Sequence, residues 1–213
     1  MMLRFLITLY ILSAAATLIL AYPEGIVSVA VTTILSGAVL LLINRFGGDQ
    51  RDYLIKVFGA ALVARCAVGL IIHVYDLRGF FGGDANTYDA LAGKLADIWT
   101  GVADERILDA VDQGRLHDFL GMGMYYWIAA LYTLIGRNIL AAQSVCGVIG
   151  AATAPLLYSC AVKVFVNRNV GRIAAALVAL FPAMVIWSSQ LLKDGLIVFF
   201  FGAGNDCDTE AAE

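Results

Sequence analysis

The sequence predicts an all-α, polytopic membrane protein, and three observations support this fold class. Hydrophobic residues make up 61% of the 213-residue chain, and the mean hydropathy is +0.84. Soluble domains contain roughly 45–50% apolar residues, so a soluble fold of this size would leave a large apolar surface in water. The apolar residues also form long continuous runs rather than an alternating pattern, which favours membrane-spanning helices.

Five segments are long and apolar enough to cross a bilayer, which requires about 20 residues in a helix. They are residues 5–21, 26–43, 57–75, 139–164 and 173–192. The first of them follows a basic residue, as the apolar core of a signal peptide does, but no polar region with a small-residue cleavage site comes after it. We therefore interpret it as a retained span, and its removal would leave the remaining spans unchanged.

A sixth apolar segment, residues 119–136, is interpreted from the basic residues around it. Basic residues next to spans concentrate on the cytoplasmic side of a membrane. If this segment crossed the membrane, Lys163, Arg168 and Arg172 would lie outside. If it follows the outer surface, those three residues become cytoplasmic, as the basic residues around the first two spans are: Arg4, Arg45, Arg51 and Lys56.

We therefore predict a juxtamembrane helix at residues 119–136, and residues 76–137 on the outer face of the membrane. Aromatic side chains are common at headgroup level, and four of them are expected there: Tyr125, Tyr126, Trp127 and Tyr132. The same topology puts Lys193 and Asp194 on the face that carries Asp84. The rejected topology would put the two carboxylates on opposite sides of the membrane.

The outer segment is rich in carboxylates. Residues 76–118 hold nine of the seventeen acidic residues and four basic ones. Apolar residues recur at helical spacing over residues 86–100, which predicts an amphipathic helix with Asp89 on its solvated face. Asp84 then lies at or just before the helix N-terminus, where the backbone amides favour an anion. Residues 102–118 predict a second short helix with an acidic face.

Two further features concern the spans themselves. Arg65 lies in the middle of the third span, where a charge costs at least about 2.5–3.5 kcal/mol on insertion scales. We expect it to face the bundle interior and to pair with a carbonyl or an acid, and phosphate binding is a second interpretation. Residues 195–201 begin a sixth span that is too short to cross the hydrocarbon core. Residues 204–213 form a polar tail, which we interpret either as disordered or as the result of a truncated or frameshifted reading frame.

Three stretches of the sequence resemble one family of membrane enzymes. They are GGDANTYDALA after the third span, then YYWIAALYTLIGRNILAAQSVCGVIGAATAPLLYSCAVKVF, and then AAALVALFPAMVIWSSQLLKDGLIVFF. In order and spacing they resemble the N-terminal half of the C-type (GT-C) glycosyltransferases, which include the protein O-mannosyltransferases. The resemblance covers about residues 57–201 and treats residues 1–203 as one transmembrane domain. Many members have Asp-Glu where this chain has Asp84-Ala85.

The resemblance implies transfer of a sugar from a polyprenyl-phosphate donor to an acceptor at the outer face of a bacterial cell membrane. The acceptor hydroxyl then needs a base, and the phosphate leaving group needs positive charge or a metal ion. Asp84 is implied as the general base, and Asp194 as the residue that positions the acceptor. Both carboxylates are candidate ligands of a divalent metal ion, Mg²⁺ or Mn²⁺. Lys193 is implied as the group that neutralises phosphate, and Tyr88 as a group that orients the loop or stacks on sugar.

A non-enzymatic membrane protein, such as a transporter component or a subunit of a membrane complex, is the alternative interpretation. It predicts that intramembrane polar groups line a path through the bundle. The net charge of -3 and the lack of a basic cluster argue against a nucleic-acid partner.

Overall fold

The computed structural model describes residues 1–81, 83–102 and 123–210, and within these ranges every regular element is a helix. The predicted all-α fold class is confirmed. In chain order the helices are α1 (Met2–Leu20), α2 (Glu24–Phe46), a 3₁₀ turn (Gly48–Gln50), α3 (Arg51–Val74), α4 (Asp84–Trp99), α5 (Gly123–Ile135), α6 (Ile139–Phe165), α7 (Arg168–Leu180), α8 (Pro182–Ser188) and α9 (Asp194–Glu210). Apart from Val102, the predicted helix at residues 102–118 lies outside the described residues.

Four helices in the described part of the chain are long and apolar enough to cross a membrane. They are Met2–Leu20, Glu24–Phe46, Gly48–Val74 and Ile139–Phe165, of 19 to 27 residues. At about 1.5 Å per residue they measure about 28–40 Å, which matches a hydrocarbon core of about 30 Å. Large apolar side chains cover their outer surfaces, among them Ile11, Leu12, Ile34 and Leu41. These helices suggest an integral membrane protein.

The predicted fifth span, residues 173–192, is not one straight helix in the structure, and its role as a span stays a prediction. It consists of α7 and α8, which are bent by 54° at Phe181. Pro182 lacks a backbone N–H, and its ring disfavours the α conformation in the preceding residue. Phe181 accordingly has extended backbone angles, with φ of -62° and ψ of 121°. If the bent pair counts as one span, the described residues contain five.

Helix α6 lies at the centre of the bundle. In its most apolar stretch 61% of the residues are buried, whereas the figure for α1 is 6%. Helix α6 packs against α2, α3, α7 and α9. Small residues on its surface allow this close approach, because they bring backbones near to one another: Gly147, Gly150, Ala151 and Ala154.

One end of the bundle brings together the segments that the charge pattern predicts to be cytoplasmic. Arg168 lies 3.6 Å from the Asp49 carboxylate, and the Arg172 guanidinium donates to Gln50 Oε1 at 2.8 Å. These contacts join the 3₁₀ turn after α2 to the start of α7. The basic residues that follow α2 and those that follow α6 therefore share one end of the molecule.

The opposite end carries a helical layer formed by α4 and α5. The two helices pack against each other and against the first half of α6 through a shared core, which contains Ala85, Tyr88, Ala92, Leu95, Met124, Tyr125, Ile128, Tyr132, Ala142, Cys146, Leu191 and Leu196. Tyr125 and Tyr132 are thus buried against protein, whereas Tyr126 is exposed on the surface of α5. The position of the four aromatic residues at headgroup level stays a prediction. Sequence alone showed an apolar helix but not that α4 would cover one side of it.

The last helix, α9, extends further than the apolar run in its first half. It begins at Asp194, and its backbone remains helical through Glu210. The first seven residues of the predicted polar tail, 204–210, therefore continue a helix. Its apolar part, Asp194–Gly204, belongs to the shorter apolar helices rather than to those long enough to span.

Candidate functional site

Four of the five predicted site residues come together at the end of the bundle that carries α4 and α5. Asp84 and Tyr88 lie on the first turns of α4, and Lys193 and Asp194 lie where the chain enters α9. Tyr88 and Leu191 belong to the same buried core, so the two segments are in contact although more than 100 residues separate them. The candidate site is defined by these four residues: Asp84, Tyr88, Lys193 and Asp194.

Both carboxylates of the candidate site lie in the first turn of a helix. Asp84 begins α4 after Gly83, whose φ of 74° is in the left-handed region that glycine adopts readily. Asp194 begins α9. The unpaired backbone N–H groups at a helix N-terminus favour a negative charge, typically by about 0.3–1 kcal/mol. Asp84 is exposed and Asp194 is half-buried, so both carboxylates are reachable from solvent.

Tyr88 is close enough to both carboxylates of the candidate site to be affected by their charges. Its side chain is buried, and its ring contacts that of Tyr125 with 5.2 Å between the ring centroids. Burial raises the pKa of Tyr88, and the negative charges of Asp84 and Asp194 raise it further. The pKa of Tyr125 is raised by burial, with Tyr88 and Asp84 adding to the effect and Lys193 opposing it. The three charged residues of the candidate site therefore influence the pKa values of Tyr88 and Tyr125.

Asp89 has a different environment from the predicted one. The prediction of a solvated helix face is wrong, since only 17% of its side chain is exposed. Arg137 Nη2 donates to Asp89 Oδ2 at 2.7 Å, and the Tyr132 hydroxyl donates to Oδ1 at 2.6 Å. This cluster of Asp89, Tyr132 and Arg137 ties α4 to α5 and to the turn that follows it.

Gly93 provides the space in which Arg137 lies. A Cβ atom at position 93 would be 2.9 Å from Arg137 Nε, which is closer than such atoms approach. Gly93 follows Asp89 by four residues and so lies on the same face of α4. The hydrogen bond to Asp89 is the largest of the effects that raise the pKa of Arg137. The Asp89 and Gly93 spacing was the one local signal for this contact, whereas nothing in the sequence pointed to Arg137.

Arg65 lies apart from the other four predicted site residues, in the interior of the bundle. Its side chain is only 2% exposed, as expected for a charge in a span. The guanidinium donates to Ser188 Oγ at 2.8 Å and to the carbonyl oxygens of Ala179 at 2.9 Å, Val178 at 3.2 Å and Ala61 at 3.1 Å. The expectation that it pairs with a carbonyl is confirmed.

The carbonyl partners of Arg65 explain how a cation is accommodated inside the bundle. Val178 and Ala179 are in the last turn of α7, where the bend at Phe181 interrupts the helical hydrogen bonds. A helix C-terminus has unpaired carbonyl groups and a partial negative charge, and a basic side chain satisfies both. Since Arg65 also bonds Ser188 of α8, one side chain connects both halves of the broken span to α3.

The two carboxylates of the candidate site meet only part of the requirement for a bound metal ion. Among the described residues there is no group of three or more His, Cys, Asp or Glu side chains that could hold one. Mg²⁺ commonly binds through one or two carboxylates together with substrate phosphates and water. Asp84 and Asp194 fit that mode of binding, in which a phosphate ligand completes the site, and they do not form an all-protein cage.

Comparison of the chain with protein-family models, with curated proteins and with solved structures gives no match. The resemblance to the GT-C glycosyltransferases therefore remains a prediction from the quoted motifs.

Proposed function

We propose that this chain transfers a sugar from a polyprenyl-phosphate donor to an acceptor hydroxyl at the outer face of a bacterial cell membrane. The observation that supports the proposal is the meeting of Asp84 with Lys193 and Asp194 around Tyr88. Two carboxylates, a lysine and an aromatic ring at one end of a membrane bundle supply the groups that this reaction needs. In this proposal residues 76–137 are on the outer side of the membrane.

In the proposed reaction Asp84 accepts the proton of the acceptor hydroxyl while the acceptor oxygen attacks the anomeric carbon. The bond between that carbon and the phosphate oxygen breaks, and the polyprenyl phosphate leaves with the electron pair. A single displacement of this kind inverts the anomeric configuration. Lys193 is exposed beside the carboxylates and neutralises the phosphate charge. Asp194 orients the acceptor, and the exposed position of Asp84 keeps its carboxylate available to the hydroxyl.

A divalent cation, Mg²⁺ or Mn²⁺, is compatible with this arrangement. Asp84 and Asp194 would hold it together with phosphate oxygens of the donor, and when bound it would supply additional positive charge for the leaving group.

The alternative, a transporter component or a subunit of a membrane complex, has one observation in its favour. Polar side chains around Arg65 line a cavity between α1, α2, α3 and α6. Its volume is about 40 Å³, which corresponds to a few water molecules rather than to a path across the bundle. The proposed glycosyl transfer instead uses the two carboxylates and the lysine at the α4 end.

The proposal is tested by substitution of Asp84 with asparagine in the intact protein, assayed in membranes with polyprenyl-phosphate-linked sugars as donors. Transfer should disappear with Asp84→Asn, while the amount of protein in the membrane stays unchanged. Asp97→Asn on the same helix is the matched control and should retain transfer, because Asp97 is outside the candidate site. Undiminished transfer with Asp84→Asn would contradict the proposal.

A further inference from the structure

We propose that the polar cavity beside Arg65 is a binding site for a cluster of water molecules inside the membrane bundle. The cavity has a volume of about 40 Å³ and lies between four helices, α1, α2, α3 and α6. Each of these helices contributes polar side chains to its walls. They include Tyr10, Thr17, Ser28, Arg65, Gln143 and Ser144.

Gln143 is the first observation that requires a ligand. Its side chain is 2% exposed, and its Nε2 donates to the Gly69 carbonyl at 2.9 Å. Its Oε1 is buried, and in the described part of the chain it accepts no hydrogen bond. A buried acceptor without a partner costs about 1–3 kcal/mol. An occupant of the cavity that donates a hydrogen bond removes this cost with a small movement of the amide.

The hydroxyl groups in the walls indicate which chemistry the occupant has. Ser144 Oγ donates to the Leu140 carbonyl at 2.8 Å, and Thr17 Oγ1 donates to the Ser13 carbonyl at 2.9 Å. Because the Ser144 proton is engaged, the 2.6 Å contact between Ser28 and Ser144 uses the proton of Ser28. Each hydroxyl has one proton and two lone pairs, so these groups retain acceptor capacity and have no donor left. These three hydroxyls therefore favour an occupant that donates hydrogen bonds.

Arg65 and the size of the cavity narrow the choice to water. The guanidinium charge disfavours a cation, although a cation would suit the acceptors. An anion would suit Arg65 but would meet acceptor oxygens on the other walls. Arg65 uses four hydrogen bonds to protein out of five N–H groups, which leaves one for an acceptor. Water both accepts and donates, and about 10–15 Å³ for each molecule gives room for about three.

Water in the cavity lowers the free-energy cost of burying the Arg65 charge inside the bundle. A cation that is buried in hydrocarbon loses its hydration, whereas Arg65 beside water retains part of it. The cavity, together with the carbonyl groups at the end of α7, then makes a charge in the third span tolerable. This role of the cavity does not depend on the proposed glycosyl transfer.

Hydroxyl-radical footprinting of the full chain in lipid nanodiscs tests the inference, because radicals produced from bound water oxidise the side chains that touch it. Cys66 lines the cavity, whereas Cys146 is buried in the apolar core of the α4 end. Cys66 should be oxidised readily and Cys146 should remain unmodified. This comparison needs no substitution. Equal protection of Cys66 and Cys146 would overturn the inference and indicate a dry cavity.

Filling the cavity supplies a second, independent measurement. Ala14 lines the cavity, and the adjacent Ala15 is exposed on the outer surface of α1. Ala14→Leu removes no hydrogen bond and should abolish the oxidation of Cys66, while Ala15→Leu should leave it unchanged. If Cys66 is oxidised at its original rate in Ala14→Leu, the radicals that reach it do not come from water in the cavity. That result would also overturn the inference.

Discussion

At the scale of single residues, the cluster of Asp89, Tyr132 and Arg137 explains how the α4 end keeps its shape. Asp89 accepts from both partners, at 2.6 Å and 2.7 Å, and is mostly buried. Asp89 directly follows Tyr88 in α4 and lies about two turns before Ala96, so its position influences the buried face of this helix. The cluster therefore holds the candidate site in place without touching a substrate.

Tyr132→Phe removes one hydrogen bond from this cluster and leaves the ring in the core. A hydrogen bond to a charged group contributes about 1.5–3 kcal/mol, so we expect a loss of that order in the free energy of unfolding. Equilibrium unfolding in mixed micelles measures it. Tyr126→Phe on the exposed side of α5 is the control and should have little effect. Equal stabilities of Tyr132→Phe and the unaltered protein would contradict the role assigned to the hydroxyl.

The same residue predicts a dependence of stability on pH. Burial raises the pKa of Tyr132 above its usual value of 10.0, and the hydrogen bond to Asp89 raises it further. The unfolded chain therefore loses this proton at a lower pH than the folded protein does. The resulting stabilisation is present below pH 10 and is lost as the pH rises towards the folded pKa. Above pH 10 the melting temperature should fall less steeply with pH for Tyr132→Phe than for the unaltered protein. Identical slopes of melting temperature against pH would contradict this origin of the pH dependence.

The sequence located some of these residues and missed others for identifiable reasons. Asp84 and Asp194 could be proposed from the sequence because each is a carboxylate beside an apolar run, which is a local signal. Arg137 and Tyr132 were missed because their contact with Asp89 joins positions more than 40 residues apart. Arg65 was expected to face the interior, since a charge in a span has few alternatives. Its partners depended on a helix end that the hydrophobic pattern did not show.

At the scale of helices, the bend between α7 and α8 is held by its contacts with α3 and α6. Arg65 bonds the end of α7 and Ser188 of α8, and Gly150 of α6 leaves room for both side chains. Ser188 also donates to the Met184 carbonyl within α8. The bend determines the path of residues 189–193, which lead to Asp194. The helix break that Pro182 causes therefore contributes to the position of Asp194.

Two glycines of α6 provide a matched pair of substitutions. A Cβ atom at Gly150 would be 2.5 Å from Ser188 Cβ and 3.0 Å from Arg65 Nε, whereas one at Gly147 meets its nearest atoms at 3.8 Å. Gly150→Ala should therefore destabilise the protein by about 1–3 kcal/mol through overpacking. Gly147→Ala should be neutral or stabilising by up to about 1 kcal/mol, because alanine favours helix. Unfolding measurements that rank the two in the opposite order would contradict the packing described.

Arg65→Lys tests whether the planar guanidinium is needed to bridge the bend. Lysine keeps the charge but cannot reach Ser188 and the two α7 carbonyls in one geometry. Each carbonyl left without a partner costs about 1–3 kcal/mol, so a loss of at least that size is expected in the free energy of unfolding. Arg45→Lys on an exposed surface is the control. Full stability of Arg65→Lys would show that charge alone is sufficient.

The hydrophobic pattern predicted the helices better than their straightness. Residues 26–43 and 139–164 correspond to α2 and α6 because about 20 continuous apolar residues have one stable form in a membrane. Residues 173–192 are equally apolar, but one proline divides them, and apolar content does not report backbone hydrogen bonding. Pro182 was a visible signal of a break. The size of the bend, 54°, depends on the contacts of Arg65 and Ser188 and was not available from the pattern.

At the scale of the whole molecule, the charge distribution and the packing distinguish the same two ends of the bundle. Segments with Arg51 and Arg168 meet at one end, and α4, α5 and the start of α9 meet at the other. The positive-inside rule predicts that the first end is cytoplasmic. The proposed sugar transfer then takes place at the outer end, where Asp84 and Asp194 share a site. The proposed function depends on the position of these two carboxylates at the same end of the molecule, although they are far apart in the sequence.

Labelling of single cysteines with a membrane-impermeant thiol reagent tests whether positions 84 and 194 lie on the same side of the membrane. Positions 84, 194 and 49 are each replaced by cysteine in a protein whose native cysteines are changed to alanine, and intact cells are labelled before and after permeabilisation. We expect Asp84→Cys and Asp194→Cys to be labelled in intact cells, and Asp49→Cys only after permeabilisation. Labelling of positions 84 and 194 from opposite sides of the membrane would contradict the shared site and the proposed function with it.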